Sequence, residues 1–149
     1  MTDHTWAYAD TNRFVWHWYI CRAYRSTADR DAWFATFCRS TAEVADSPDS
    51  RQTGLMFRPR LGPNEGMLFV FPEKSPQCFW MKNTQLPLTI AFIADDGTIV
   101  NLADMKPQTL DSHCSDKPVR FVLEMNQGWF AKKNIKAGFK LAGPPFQGK

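Results

Sequence analysis

Short apolar runs that end in turn residues follow one another along this chain, and this pattern limits its fold more than any other feature. Residues 67–71 are wholly apolar, and residues 88–94 and 119–125 form runs of similar length. Each run is bounded by Gly, Pro, Asp or Asn and is too short for a typical helix. The Asp95-Asp96-Gly97 turn before residues 98–102 is the strongest hairpin signal in the chain. The sequence therefore predicts a mainly β domain.

Two short helices are predicted among the strands. The Asp46-Ser47-Pro48 segment supplies a capping side chain and a first-turn proline, and Gly54 is a natural stop, so we expect a helix over Pro48–Thr53. Asn126 is expected to cap a second helix, and residues 139–141 to form a final strand. Many short strands with two short helices are typical of a single β-sandwich or barrel.

The first part of the chain differs in composition from the rest. No Gly or Leu precedes Gly54 and Leu55, and no Lys precedes Lys74. Gly and Leu are among the commonest residues in proteins, so their absence is unusual. We predict an atypical N-terminal segment over residues 1–39, a β domain over residues 40–142 and a mobile tail over residues 143–149.

Charge and hydropathy exclude several classes of partner. The net charge is only +3 in 149 residues, and both signs are interleaved, which does not indicate a nucleic-acid or polybasic membrane surface. No apolar run approaches the roughly 18 residues of a membrane helix. We expect a monomer with no transmembrane segment and no nucleic-acid partner.

Residues for familiar catalytic and metal chemistry are sparse. His113 is the one histidine of the predicted domain, and it adjoins Cys114, although neighbouring side chains usually point apart. No nucleophile elbow, His-Glu-x-x-His, phosphate-binding loop or Cys-x-x-Cys is present. The scattered methionines favour core packing over a copper site. We therefore predict no catalytic residue, no metal ligand and no cofactor.

Polar side chains embedded in apolar blocks are better candidates for a site. Lys82 and Asn83 directly follow an apolar block, where a charge needs a partner or water. In one interpretation Trp80 is the apolar wall of a ligand pocket, Lys82 and Arg51 bind an anionic group, and Asn83 orients the ligand. In the other, these residues form a structural network with a Lys82–Glu124 cross-strand pair. The candidate ligand-binding residues are Arg51, Arg58, Trp80, Lys82, Asn83 and Glu124.

Several blocks of the chain resemble the bacterial and archaeal family called domain of unknown function 192. The most specific are Gly54-Leu55-Met56-Phe57-Arg58 and Phe79-Trp80-Met81-Lys82-Asn83-Thr84, and others begin at Ala42, Gly66 and Val122. The resemblance covers about residues 42–141. It implies a jelly-roll-like β-sandwich or barrel and supplies no biochemical activity.

The resemblance also implies a location. Many relatives look like exported proteins, with a signal peptide and a further strand before the block at Ala42, so we expect a periplasmic or exported protein. Residues 1–38 match neither part, and no signal peptide is evident, so a cytoplasmic location stays open. We expect this segment to come from a wrong reading frame or a mis-set start; the alternative is a real but unusual extension.

Cys78 and Cys114 are the cysteines of the predicted domain. In an oxidising compartment, a disulfide between them closes a loop of about 36 residues and typically adds 2–4 kcal/mol of stability. The alternative is two unpaired thiols.

Three functions follow from these observations. The first is an exported, non-enzymatic module that binds a small or extended ligand near residues 80–84. The second is a hydrolase-like enzyme that uses Lys82 and Glu124, and the third is a structural or accessory envelope protein without a ligand. Unpaired charges in a pocket favour the first two, whereas mutual salt bridges favour the third. A strongly raised pKa of Glu124 in a cleft favours an enzyme over a binder.

Overall fold

The elements of the fold are eight strands and two short α-helices in the part of the chain that the structure describes. The computed structural model describes residues 15–20, 38–141 and 144–146. The strands are β1 (Val15–Ile20), β2 (Cys38–Ala45), β3 (Glu65–Ser75), β4 (Cys78–Phe79), β5 (Leu88–Ile93), β6 (Ile99–Met105), β7 (His113–Cys114) and β8 (Val119–Asn126). The helices are α1 (Pro48–Thr53) and α2 (Trp129–Lys132), and a 3-10 turn covers Pro144–Phe146.

Six strands form the main sheet in the order β1-β2-β3-β8-β5-β6. β2 and β3 are parallel, and every other neighbouring pair is antiparallel. β4 and β7 form a separate two-stranded ribbon, in which Cys78 lies opposite Cys114. The strand β8 is therefore central, with β3 on one side and β5 on the other.

Both faces of the main sheet are covered by apolar side chains, as the alternation of side chains along β8 shows. Phe121 and Leu123 point to one face, where they belong to a core with Trp129 of α2. Val122 points to the other face, into a second core that includes Leu55 and other side chains outside the sheet. Glu124 shares the face of Val122 because it lies two residues further along the strand.

The mainly β prediction with two short helices is confirmed. The described strands form an open sheet and a ribbon, an arrangement that is compatible with a jelly-roll-like sandwich. Helix α1 has the predicted bounds, and its cap is a reciprocal pair in which the Ser47 and Ser50 side chains bond to each other's backbone N–H. The hairpin at Asp95–Gly97 is also confirmed, since Gly97 donates to the carbonyl of Ala94 and adopts φ 89°.

Three local predictions were wrong. Alternation along residues 119–125 predicts that Val119, Phe121 and Leu123 share one face and that Glu124 lies on the other. The β3–β8 register shifts between Val70 and Ser75, however, and Val119 joins the core opposite to that of Phe121. Residues 139–141 form only one bridge, Thr98 to Lys140, instead of a strand. The second helix begins after Gly128, and no side chain caps it.

The structure describes only parts of the predicted N-terminal segment and of the predicted C-terminal tail. The N-terminal segment 1–39 is described only at residues 15–20 and 38–39, where β1 pairs with β2. In the predicted tail, the ring of Phe146 is buried, 5.0 Å from the ring of Phe121. None of the described helices is long and apolar enough to cross a bilayer.

Candidate functional site

A cleft of about 610 Å³ opens on the side of the sheet that carries Val122. Its floor is formed by the sheet, through Phe69 of β3 and Glu124 of β8. Helix α1 and residues 54–57 line one wall, and residues 77–80 and 82–84 line the other. The predicted candidates Arg51, Trp80, Lys82, Asn83 and Glu124 all line this cleft, whereas Arg58 does not.

Arg51 lies in the last turn of α1, and its guanidinium group ties the helix to the sheet. Nη1 donates to the carbonyl oxygens of Asp46 and, at 2.8 Å, Val70. The same guanidinium lies 5.2 Å from the centre of the Phe71 ring. Arg51 therefore holds the first wall in place and adds positive charge to the cleft.

Arg58 lies outside the cleft and forms an ion pair there. Its guanidinium forms a two-pronged ion pair with the carboxylate of Glu43, at 2.8 and 2.7 Å. These hydrogen bonds to Glu43 raise the pKa of Arg58. The structure thus assigns Arg58 a partner that the sequence did not suggest.

Two aromatic rings at the cleft are exposed to solvent. Trp80 is 50% exposed and Phe57 is 70% exposed. The ammonium group of Lys82 lies 5.3 Å from the centre of the Trp80 ring, which is a cation–π distance. Lys82 forms no salt bridge with any described residue. It is therefore a cation that remains accessible at the cleft.

The turn at Asn83 and Thr84 joins the two walls. Asn83 adopts φ 53°, a conformation that asparagine tolerates better than most residues. Its carbonyl accepts a hydrogen bond of 2.8 Å from the backbone N–H of Phe57. The Thr84 hydroxyl closes the turn by donating to the carbonyl of Lys82. This backbone contact fixes the distance between the walls at one end of the cleft.

Glu124 is a buried acid without a partner. It lies in β8 between Met67 of β3 and Ile90 of β5, and it is only 4% exposed. Its side chain has no hydrogen bond or salt bridge to any residue that the structure describes. Desolvation by burial raises the pKa of Glu124 from 4.5 to about 8. The carboxyl group is consequently neutral near pH 7 and carries a proton that it can donate.

The predicted Lys82–Glu124 cross-strand pair is wrong. The neighbours of Glu124 across the sheet are Met67 and Ile90, both apolar. Lys82 follows the separate ribbon, where it stacks on Trp80. The pair was proposed from residue types alone; in the structure Lys82 lies outside any strand, and β8 pairs with β3 and β5.

The cysteines and most of the methionines that were considered as reactive or metal-binding groups have structural roles in the ribbon and in the two cores. Cys78 and Cys114 are joined by a disulfide, so neither sulfur is a free nucleophile. Met67, Met81, Met105 and Met125 are buried in the two cores, which confirms core packing for these four, whereas Met56 is half-buried and lines the cleft. No cluster of His, Cys, Asp or Glu in the described part of the chain could hold a metal ion.

Sequence reasoning missed the contribution of phenylalanines to the site. Phe57 lines the cleft with an exposed ring, and Phe79 packs edge-on against Phe69 with ring centres 4.9 Å apart. The only signal was their position within the two most specific family-like blocks. In an apolar block, an exposed aromatic and a buried one have the same sequence pattern.

Comparison with known proteins agrees with the resemblance of the sequence blocks. The family model of domain of unknown function 192 (DUF192), described as an uncharacterized ACR, matches residues 33–143. The chain belongs to the DUF192 family. The match begins nine residues before the block at Ala42. No curated protein matches the sequence.

Two solved structures are similar to this DUF192 chain. A putative transcription regulator from Sinorhizobium meliloti is 33% identical with a TM-score of 0.77, over 92% of this chain and 99% of that one. A protein of unknown function from Novosphingobium aromaticivorans is 27% identical with a TM-score of 0.74, over 95% of each chain. The DUF192 architecture is thus shared with proteins that have no established biochemical activity in their descriptions.

Proposed function

We propose that this DUF192 protein is an exported, non-enzymatic module that binds a small or extended ligand in the cleft beside residues 80–84. The observation that carries the proposal is the carboxyl group of Glu124 at the floor of an open cleft, where no described side chain bonds to it. A buried polar group without a hydrogen bond costs roughly 1–3 kcal/mol. A ligand that bonds to this group would offset the cost.

The walls of the cleft support the same function. Trp80 and Phe57 expose large apolar surface, which is typical of a binding groove when polar groups lie between the rings. Asn83 and Lys82 line the same cleft and supply such polar groups. Charges that are not used in mutual salt bridges favour a ligand site over a purely structural network.

Export is supported by the disulfide between Cys78 and Cys114. Disulfides persist in oxidising compartments and are rare in the cytosol. The location is thus part of the proposal, together with the exported appearance of many relatives.

A hydrolase-like enzyme is the second candidate, and the raised pKa of Glu124 favours it. An acid with a pKa of about 8 in a cleft is suited to proton transfer near neutral pH. However, Glu124 is the sole carboxyl group among the described residues that line this cleft, and Lys82 is not its partner. A reaction that needs two carboxylates is therefore not supported.

The description of the Sinorhizobium meliloti protein suggests a third possibility, regulation of transcription. The charge distribution of this chain does not favour contacts with DNA. Three of the described cations, Arg58, Lys74 and Arg120, are paired with an acid, and the net charge is only +3.

A thermal-shift screen of the full chain against small organic compounds tests the proposed site, with Trp80→Ala as the cleft variant. Leu110→Ala is a matched control, because Leu110 is 67% exposed and lies outside the cleft. We expect a compound that raises the melting temperature of the parent chain and of Leu110→Ala, and that loses at least tenfold in affinity with Trp80→Ala.

Other results would favour the other functions. If Trp80→Ala and Lys82→Ala both bind the compound as tightly as the parent chain does, the ligand binds outside the cleft. Chemical conversion of a bound compound, lost in Glu124→Gln, would support the enzyme. The absence of any binding compound would favour a structural envelope protein.

A further inference from the structure

We infer that the ligand is an organic acid with an apolar body, whose anionic group lies near Lys82 and whose deeper carbonyl oxygen accepts a hydrogen bond from Glu124. This inference rests on the proposed function of the cleft and specifies the ligand class.

The charges of the cleft favour an anion. Apart from Glu124, the charged side chains that line it are Arg51 and Lys82 among the described residues, and both are cations. Arg51 is occupied by two backbone carbonyls and the Phe71 ring, whereas Lys82 has no salt bridge to a described residue. The ammonium group of Lys82 is thus the cation that remains free to meet an anionic group.

The floor of the cleft favours a hydrogen-bond acceptor. Met67 and Ile90 flank Glu124, so the residue directly opposite it on each neighbouring strand is apolar. Two strands away on the same face, Glu43 is paired with Arg58. A carboxyl group among these neighbours keeps its proton near neutral pH, and its O–H donates to whatever fills the cleft.

The space between the two polar ends favours an apolar body. Phe57 and Trp80 offer exposed rings, and Phe69 lines the floor. An aromatic or other flat body can lie against these rings while its ends reach Lys82 and Glu124. A cationic ligand lacks support here, because it would meet a neutral acid and two cations.

Three matched compounds test the inference by NMR titration of the full chain, with the indole N–H of Trp80 as the probe. Para-acetylphenylacetate carries both the acid and the carbonyl. Para-isopropylphenylacetate replaces the carbonyl group by an apolar group of similar shape, and para-acetylbenzylamine replaces the acid by a cation. We expect the first compound to bind at least tenfold more tightly than either of the others.

The pH dependence tests the role of Glu124. Ionisation of its carboxyl group removes the donor, so binding of para-acetylphenylacetate is expected to be about tenfold weaker at pH 9 than at pH 6. Glu124→Gln keeps a donor that does not titrate, and it should bind the compound at pH 6 without this loss at pH 9. Lys82→Ala should weaken the binding of the two acids and should not weaken the binding of the amine.

The results separate this inference from the proposed function. Equal affinity for the acetyl and isopropyl compounds, or an affinity that rises with pH, would overturn the inference. Tighter binding of the amine would also overturn it while leaving the cleft as a binding site. If Trp80→Ala has no effect on any compound that binds, the proposed function fails as well.

Discussion

At position 124, a carboxyl group lies on the buried face of a central strand between two apolar side chains. The same carboxylate on the protein surface would titrate near its ordinary pKa of about 4.3. Here, desolvation raises the pKa to about 8. Its chemistry therefore depends on the absence of a partner as much as on the residue itself.

This shift has a consequence for stability. The unfolded chain loses the Glu124 proton near pH 4.5, whereas the folded chain keeps it up to about pH 8. The unfolded state therefore binds fewer protons between these values, and the free energy of unfolding falls as the pH rises through them. Above about pH 8 both states are ionised, and the contribution of Glu124 no longer changes.

We predict that Glu124→Gln removes this loss of stability. The difference in unfolding free energy between Glu124→Gln and the parent chain should grow in favour of the variant by about 3 kcal/mol from pH 5 to pH 8. Urea unfolding of both proteins at each pH measures this difference, in which other titrating groups cancel. Parallel stability curves would show that Glu124 has an ordinary pKa in the folded chain.

At the scale of elements, strand β4 forms part of one wall of the cleft and pairs with β7, although each of these strands has only two residues. Such a short pairing is marginal by itself. Its support comes from the Cys78–Cys114 disulfide, from the hydrogen bond between the side chain of Asn101 in β6 and the carbonyl of Cys114, and from the packing of Phe79 on Phe69. The wall therefore depends on contacts with other elements.

Loss of this disulfide should weaken the fold. We predict that the Cys78→Ser/Cys114→Ser double variant loses about 2–4 kcal/mol of unfolding free energy, since the bridge closes a 36-residue separation. Denaturant unfolding with and without reductant measures the effect. Reductant should lower the stability of the parent chain and leave the double variant unchanged. If reductant still lowers the stability of the double variant, the loss of stability would be assigned to Cys21 and Cys38 instead.

At the scale of the whole molecule, two apolar cores are separated by one sheet, and the central strand β8 contributes to both, as do its neighbours β3 and β5. Leu123 and Phe121 belong to one core and Val122 to the other. Both long edges of β8 are also paired, with β3 and β5. Opening of β8 therefore requires disruption of both cores, whereas the ribbon lies outside the main sheet.

Hydrogen exchange should report this difference. The amides of β8 are expected to exchange only through global unfolding, with protection equal to the unfolding free energy. The amides of β4 and β7 should exchange faster, and faster still after reduction of the disulfide. Mass-spectrometric exchange of the oxidised and reduced protein measures both. Protection of the ribbon equal to that of β8 would show that the molecule opens as one unit.

The sequence could predict the features that depend on neighbouring residues. The Asp95-Asp96-Gly97 hairpin and the α1 helix follow from turn and capping chemistry within a few positions, and both were predicted at the right place. Alternation along residues 119–125 predicted that Phe121 and Leu123 oppose Glu124. It placed Val119 wrongly, because the register shift in the β3–β8 pairing depends on a distant strand.

The sequence indicated which side chains lie together at the cleft, but it did not indicate their contacts. Residue types within apolar blocks identified five residues that do line the cleft, while Arg58 lies outside it. Nothing in the sequence indicated that Arg58 pairs with Glu43 or that Arg51 donates to backbone carbonyls. Nor did the sequence indicate that Glu124 lies opposite Met67 instead of Lys82. Each depends on which strand lies beside which.

By itself, then, the sequence determined the mainly β class, the places of the tightest turns and the side chains available for a site. These follow from local conformational preferences and from the burial of short apolar runs. Only the tertiary structure decided that Glu124 has apolar neighbours and no partner among the residues that the structure describes. Strand order and register set the dielectric surroundings of a carboxyl group, and these surroundings fix its proton and hence its chemistry.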